Sequence, residues 1–312
     1  MEQSALLDAP CAVTAERLYE QLLLIRSIEA RMDELRVAHG SGDFMARVSS
    51  GWDAFVAPVC AAMDREDAAS CADSPYSAYV ARGGDVARLM TEMLHAYAFA
   101  FDREEEGNAA SKAGCDAHPF RATSAKELAT GATTQKTGGV TVFFASDKET
   151  SPKDLRGAAD AYRAAGKKFL TYYYVTERND AAAQEAFSSS CRSEALRQGG
   201  PLGLYAEAKG HLKALRDGET PCVVSCVAAL PQRGSRAPSL ERNDATSCFY
   251  RWQARDPLAS LAASLSPEAL KDVIFRVQDK VRDAERIAGT ASVIPYFRHG
   301  ARPSLSGAQS FR

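Results

Sequence analysis

The chain has 312 residues, of which 46% are hydrophobic and 25% are charged, and its formal net charge at pH 7 is −2. This composition is typical of a globular protein with ample material for a core, and so small a net charge excludes a field that gathers nucleic acid by itself. No apolar run approaches about 18 residues, so no transmembrane helix is predicted. Residues 1–14 hold two acids and no Lys or Arg, which argues against an intact signal or transit peptide within this numbering.

The N-terminal third is predicted to be largely helical. Its clearest helix runs from Thr14 to His39, where apolar residues recur at steps of three and four. Ser70 to Val80, which contains a proline, is predicted to be short and irregular. Further helices are predicted at residues 52–63, 85–99 and 125–132, the last within a long polar loop.

The middle of the chain has the pattern of a buried parallel sheet. Val140 to Ala145 and Phe169 to Thr176 are short apolar runs, and the residues between them keep helical spacing. Strand, helix and strand within about forty residues predict a βαβ unit, whose two strands end at the same edge of the sheet. Ligands of open α/β sheets bind at that edge. A function is therefore expected at Ser146-Asp147-Lys148 and Arg178-Asn179-Asp180.

The next part of the chain continues this alternation. Helices are predicted at Ala181 to Arg197 and at Ala206 to Arg216, followed by a third buried strand at Pro221 to Ala229. Two helix start signals come later, Asp256-Pro257 and Ser266-Pro267-Glu268. We expect the helix that begins at the second signal to end near residue 288.

Three regions follow from this pattern. Residues 1–13 are predicted to be an N-terminal arm, and residues 14–288 to form one α/β domain, a mainly parallel sheet flanked by helices. Residues 289–312 include Arg298, Arg302 and Arg312 and no acid, so we predict an extended basic C-terminal tail.

Eight cysteines are scattered along the chain, and the closest pair is Cys222 and Cys226. In a strand these two side chains lie about 13 Å apart on one face, which is too far for a disulfide. Buried reduced thiols are the favoured interpretation. A metal site would need a second Cys/His pair, and none has suitable spacing.

Several short segments occur in an order that is typical of one enzyme family. They are Leu18–Leu35, Gly51-Trp52-Asp53-Ala54 with Asp67, Ala81-Arg82-Gly83, Asp217-Gly218-Glu219-Thr220-Pro221-Cys222, Arg255-Asp256-Pro257 and Ser266–Ala288. In layout the chain resembles the α subunit of the E1 component of 2-oxo acid dehydrogenases, which use thiamine diphosphate. The resemblance implies a thiamine-diphosphate-binding-like fold with extra N- and C-terminal helices.

At the cofactor positions of that family this sequence departs from the pattern. The family holds the diphosphate through Mg²⁺, with a GDG turn after one strand and an NN pair after the next. Here the first turn reads Ala145-Ser146-Asp147-Lys148-Glu149 and the second reads Arg178-Asn179. Asp147 and Asn179 match the metal ligands, but both glycines are missing, so we interpret these two residues as relic cofactor and metal positions.

Other functional groups of the family are also missing. Its YRxH segment falls on Asp73-Ser74-Pro75-Tyr76, without Arg or His, and the histidine of its RGHS loop is replaced by Ser235. A chain that lacks these groups is not expected to bind, orient and tune the cofactor. We therefore predict no catalytic residues and no cofactor.

The resemblance then implies a pseudoenzyme, a structural subunit of a mitochondrial multiprotein assembly, for which the mitochondrial ribosome is one candidate. Its expected partners are an E1β-like subunit or a second copy of the chain, and ribosomal RNA through the basic tail. The alternative is a divergent active or regulatory α subunit that binds thiamine diphosphate and Mg²⁺.

Overall fold

The computed structural model describes residues 9–38, 53–72, 75–94, 123–132, 138–146, 150–175, 192–195, 200–218, 222–227 and 256–298. Its centre is a five-stranded sheet in which every neighbouring pair of strands is parallel. The spatial order is β1-β2-β3-β5-β4. The strands are β1 (Ala68–Cys71), β2 (Val140–Ser146), β3 (Lys168–Val175), β4 (Arg192–Ala195) and β5 (Cys222–Val227).

Helices flank this sheet, which confirms the predicted α/β class. They are α1 (Ala9–Ala38), α2 (Asp53–Ala62), α3 (Pro75–Ala81), α4 (86–94), α5 (Ala125–Gly131), α6 (Pro152–Ala164), α7 (Gly200–Arg216), α8 (Pro257–Ala262) and α9 (Pro267–Arg298). Among these helices, none is long and apolar enough to cross a bilayer.

The βαβ unit forms as predicted. Strands β2 and β3 are paired in parallel from Val140 opposite Lys168 to Ser146 opposite Tyr174, and α6 connects them. All seven residues of β2 are buried, as expected for a central strand covered on both faces. The predicted strand at Pro221 to Ala229 and the short helix at residues 125–132 are also confirmed, as β5 and α5.

The two faces of the sheet are covered by different helices. On one face α6 packs against Phe143, Phe169 and Tyr173, and the Tyr162 ring lies 4.7 Å from the Phe169 ring, centroid to centroid. On the other face α7 packs against Tyr172. Along the spatial order of the strands, the chain moves in one direction from β2 to β3 and in the opposite direction from β4 to β5. Right-handed crossovers then place α6 and α7 on opposite faces, as observed.

Two strands were not expected from the sequence. Residues 68–71 form β1, which overlaps the start of the segment Ser70 to Val80 that was predicted to be irregular, and residues 192–195 form β4, within a predicted helix. Both segments lack the β-branched and aromatic residues that mark a strand, so hydrogen bonding to β2 and β5 decides their conformation.

Both terminal predictions also need correction. Helix α1 begins at Ala9, so residues 9–13 of the predicted arm are helical. Helix α9 continues to Arg298, and the predicted extended tail is therefore helical over residues 289–298. The remainder of that tail, residues 299–312, lies outside the described residues.

Helices α1 and α9 pack side by side at the edge of the domain. The ion pairs between them advance in the same direction along both helices, so the two run parallel. Arg276 lies 2.7 Å from Glu16, Arg31 lies 2.6 Å from Glu285, and Lys280 pairs with Glu20. Under these pairs the contact is apolar, formed by Val273, Val277, Ala284 and Ala288 of α9.

Candidate functional site

The carboxyl edge of the sheet is where the sequence places the relic cofactor positions. Ser146 ends β2 opposite Tyr174 of β3, so the two turns that follow begin side by side. The relic positions Asp147 and Asn179 belong to these turns and lie outside the described residues, as do Lys148 and Arg178.

The segment that matches the YRxH motif lies at the same edge. Strand β1 ends at Cys71, which is opposite Phe144 near the end of β2. Asp73 and Ser74 follow outside the described residues, and Pro75 and Tyr76 begin α3. Tyr76 is buried. The strands β1, β2 and β3, which lead into these three segments, thus end at one edge of the sheet.

The chain returns from this edge through a turn that is fastened to the neighbouring strand. The Thr150 amide donates to the Ser146 carbonyl at 3.0 Å, and the buried Tyr173 hydroxyl donates to the Thr150 carbonyl at 2.7 Å. This contact sets where α6 begins relative to β3.

The first turn of α6 is closed by its own side chains. Ser151 caps the helix by accepting from the Asp154 amide at 3.2 Å, and its hydroxyl donates to the Asp154 carboxylate at 2.8 Å. Pro152 occupies the first turn and has no N–H. A carboxylate therefore already interacts with the positive end of the helix dipole at this site. Lys126 of α5 lies 3.8 Å from this carboxylate.

This arrangement does not suit a diphosphate. A diphosphate at a helix N-terminus needs free backbone N–H donors and an uncompensated positive dipole. Here Ser151 takes one donor, Pro152 removes another, and Asp154 adds a negative charge. Nowhere within the described ranges do three or more His, Cys, Asp or Glu side chains gather as a metal-binding group. The described start of α6 thus offers few free N–H donors to a diphosphate, and the positions matched to the metal ligands lie outside the described residues.

The opposite, amino edge of the sheet carries a charge cluster around a buried carboxylate, which we call the Asp67 cluster: Asp64, Asp67, Arg82 and Arg216. The Asp67 carboxylate accepts from the Val140 amide at 2.8 Å and from the Asp64 amide at 2.8 Å, and it pairs with the Arg216 guanidinium. Its side chain is 1% exposed. Asp67 thus joins the turn before β1, the start of β2 and the end of α7.

Arg82 completes this cluster through backbone groups. Its guanidinium donates to the Asp64 carbonyl at 2.8 Å and to the Asp67 carbonyl at 3.1 Å. Space here is so tight that a Cβ on Gly139 would lie 2.7 Å from the Asp67 Oδ1 and would overlap the Glu66 carbonyl. Asp67 and Arg82 both belong to segments that resemble the dehydrogenase α subunit, and both stabilise the fold here.

A second cluster, the Arg26 cluster, joins three helices: Arg26, Asp53 and Asp256. Arg26 of α1 lies 2.5 Å from the carboxylate of Asp53 in α2 and 2.8 Å from that of Asp256. Asp256 also caps α8 by accepting from the Leu258 amide at 3.1 Å. Burial by itself would lower the pKa of Arg26, but the two carboxylates outweigh it and the pKa is raised. The Arg26 guanidinium therefore stays charged and links α1 to α2 and to the start of α8.

Sequence reasoning identified Asp53, Asp67, Arg82 and Asp256 as parts of motifs, and it did not identify their partners Arg26 and Arg216. Arg26 directly follows the core residue Ile25 on α1. Its charge beside the apolar stripe was the available signal that it has an internal partner. The Ser151-Pro152 start of α6 was also missed, although Ser followed by Pro and, three residues after the Ser, by Asp is a helix start signal.

A histidine and two cysteines of the described residues contact the fold in the following way. His211 is the one histidine of the chain that lies in the described ranges, and its Nδ1 is 3.3 Å from the hydroxyl of buried Tyr172. Cys60 and Cys71 are buried and form no disulfide, as predicted for reduced thiols. Burial raises the pKa of Cys60 to about 12.

Neither a comparison with models of known protein families nor a comparison with curated protein sequences gives a match for this chain.

Proposed function

We propose that the chain is a non-catalytic counterpart of the dehydrogenase α subunits, with a thiamine-diphosphate-binding-like fold, that serves as a structural subunit of a mitochondrial assembly. The observation that carries this proposal is the first turn of α6. It follows the turn of Asp147, the place of the diphosphate in the family, and it is closed by Ser151, Pro152 and Asp154.

The two charge clusters support the same reading. Motif residues that survive in this sequence contact other parts of the fold: Asp53 and Asp256 bind Arg26, and Asp67 binds Arg216. At the positions matched to the family's GDG turn and to its YRxH and RGHS segments, by contrast, the Gly, Arg and His residues are missing. Core burial and internal ion pairs stabilise a fold whether or not it retains a site.

Titration calorimetry with thiamine diphosphate and Mg²⁺ tests the loss of cofactor binding. The expected result is no heat of binding at cofactor concentrations up to about 1 mM, which corresponds to a binding free energy weaker than about −4 kcal/mol. Metal-dependent binding in the micromolar range would contradict the proposal. It would favour the alternative, a divergent active or regulatory α subunit.

A native pull-down of the tagged chain, with mass spectrometry, tests the scaffold role. We expect stoichiometric recovery of a defined mitochondrial complex, with an E1β-like subunit or ribosomal proteins as neighbours. The proposed contact of the basic tail with ribosomal RNA is tested separately by filter binding at physiological salt, where phosphate contacts are weakened. Recovery of the chain alone from mitochondria would argue against a structural subunit.

A further inference from the structure

The long helix α9 has one face packed on α1 and an opposite face exposed. Its inner face buries Val273, Val277, Ala284 and Ala288. The exposed face, here called the outer stripe, follows a regular alternation of four and three residues. It consists of Glu268, Asp272, Phe275, Asp279, Arg282 and Arg286, all of them exposed. This spacing places the six side chains on one face of the helix.

Charge is divided unevenly along the outer stripe. Glu268 and Asp272 lie at its N-terminal end, and Arg282 and Arg286 lie at its C-terminal end. Asp279 lies just past the middle and pairs with Arg282 of the same helix at 3.1 Å. The single apolar residue of the stripe, Phe275, is 52% exposed, which is more than either other large exposed apolar side chain of the described residues. When two such stripes pack antiparallel, the acidic end of each lies against the basic end of the other.

We propose that the outer stripe is a self-association surface, on which α9 of a second copy packs antiparallel. The two-fold axis crosses the outer stripe at the level of Val277 along the helix. Residues equally far before and after Val277 then lie opposite each other. Glu268 is opposite Arg286 of the second copy and Asp272 is opposite its Arg282, and the two-fold axis repeats each pair.

The apolar residue lies at the centre of this arrangement. With a rise of about 1.5 Å per residue, the two copies of Phe275 are offset by about 6 Å along the axis, within the range of aromatic pairs. The Lys271 ammonium, 5.8 Å from the centroid of the Phe275 ring, borders the same contact. Two rings and four cross-chain ion pairs thus define one register.

A parallel pairing of the same stripe is disfavoured. It would place each residue opposite its own copy, and Glu268, Asp272, Arg282 and Arg286 would all face like charges. Like charges across an interface suppress the wrong arrangement. Charge complementarity therefore selects the second copy in the antiparallel orientation, and this inference does not depend on the proposed scaffold role.

Sedimentation equilibrium of the full chain tests the proposal. One helix pair is small beside stable interfaces of about 1,200–2,000 Å². We therefore expect a monomer–dimer equilibrium that shifts toward dimer with concentration and toward monomer between about 0.05 M and about 0.5 M NaCl, as screening increases. A chain that stays monomeric up to about 100 μM at low salt, a concentration at which an interaction of about −5.5 kcal/mol is half-formed, overturns the proposal.

Phe275→Glu is the variant that removes the centre of the contact. Because it introduces facing carboxylates, it should weaken the dimer at least about tenfold. Lys153→Glu on α6, an exposed reversal elsewhere, is the matched control and should leave the dimer unchanged. Equal dimerisation of wild type and Phe275→Glu, with both folded by circular dichroism, overturns the proposal.

A charge swap tests the orientation. Glu268→Arg alone and Arg286→Glu alone should each weaken the dimer, because each creates like-charge pairs across the two-fold axis. The double variant Glu268→Arg/Arg286→Glu should restore it, because both opposite-charge pairs re-form. Restoration supports the antiparallel register. A double variant as weak as the single variants contradicts it.

Discussion

Asp67 and Arg216 lie 149 positions apart in the sequence and form an ion pair at the amino edge of the sheet. The pair connects the turn before β1 to the end of α7, and the same carboxylate accepts from the first amide of β2. One side chain therefore holds the relative position of three elements. The pair lies at the amino edge of the sheet, and the relic cofactor positions follow strands that end at the opposite, carboxyl edge.

Asp67→Asn is expected to destabilise the protein strongly. The amide would present an N–H₂ group to the Asp64 amide or to Arg216, both of which are donors, and would leave the guanidinium without its buried counter-charge. Loss of one member of such a pair costs about 2–4 kcal/mol, measured as the free energy of unfolding in urea. Asp160→Asn, which removes the exposed pair with Arg163, is the control, with an expected loss below about 1 kcal/mol. Similar losses in the two variants would show that the Asp67 cluster is not a structural centre.

Gly139→Ala and Gly138→Ala form a matched pair at neighbouring positions. A Cβ on Gly139 would overlap the backbone carbonyl of Glu66, whereas a Cβ on Gly138 meets nothing within 4 Å. Gly139→Ala should lower stability by about 1–3 kcal/mol, as overpacking does, because backbone on both sides must move. Gly138→Ala should be near neutral. Thermal unfolding by calorimetry measures both, and an equal effect would refute the close approach of the β2 start to the turn at Glu66.

The acid dependence of stability should include a contribution from Glu20. Burial would raise the pKa of Glu20, but Lys280 and Arg276 outweigh it, and the pKa lies below its ordinary value of 4.5. A lowered folded-state pKa means that the stabilisation is complete above the unfolded-state value and is lost as pH falls through the folded-state value.

Glu20→Gln is therefore expected to reduce the free energy of unfolding by less than about 1 kcal/mol at pH 7, since these pairs are largely exposed. The difference from wild type should shrink as the pH falls below 4.5 and vanish where Glu20 is protonated in the folded state as well. Urea unfolding at several pH values measures it. A difference that is independent of pH would mean that Glu20 acts through packing and not through charge.

Cys60 should be unreactive in the folded protein. Burial raises its pKa from 9.0 to about 12, so at a given pH its thiolate fraction is roughly a thousandfold smaller than that of an ordinary thiol. Iodoacetamide at pH 8 should leave the peptide that contains Cys60 unmodified in native protein and label it completely in urea. Mass spectrometry of the digest gives the result, and rapid labelling of native protein would contradict the buried position of α2.

Local patterns predict the parts of the fold whose residues carry the signal themselves. The apolar run of β2, the spacing of α6, the aromatic strand β3 and the caps at Asp256 and Ser266 were all readable, because periodicity and capping act within a few residues. The same patterns correctly predicted the parallel pairing of β2 and β3, the strands that precede Asp147 and Asn179, and these two residues themselves lie outside the described residues.

Tertiary structure alone decided what depends on distant partners. Ala68–Cys71 and Arg192–Ala195 are strands because their backbones pair with β2 and β5, although their side chains carry no strand signal. Arg26 and Arg216 look in the sequence like ordinary surface cations, and only the assembled helices and sheet bring them to buried carboxylates. The sequence by itself determined the α/β class and the edge at which a cofactor would lie. Which charges are buried required the folded chain, because these contacts form between separate elements.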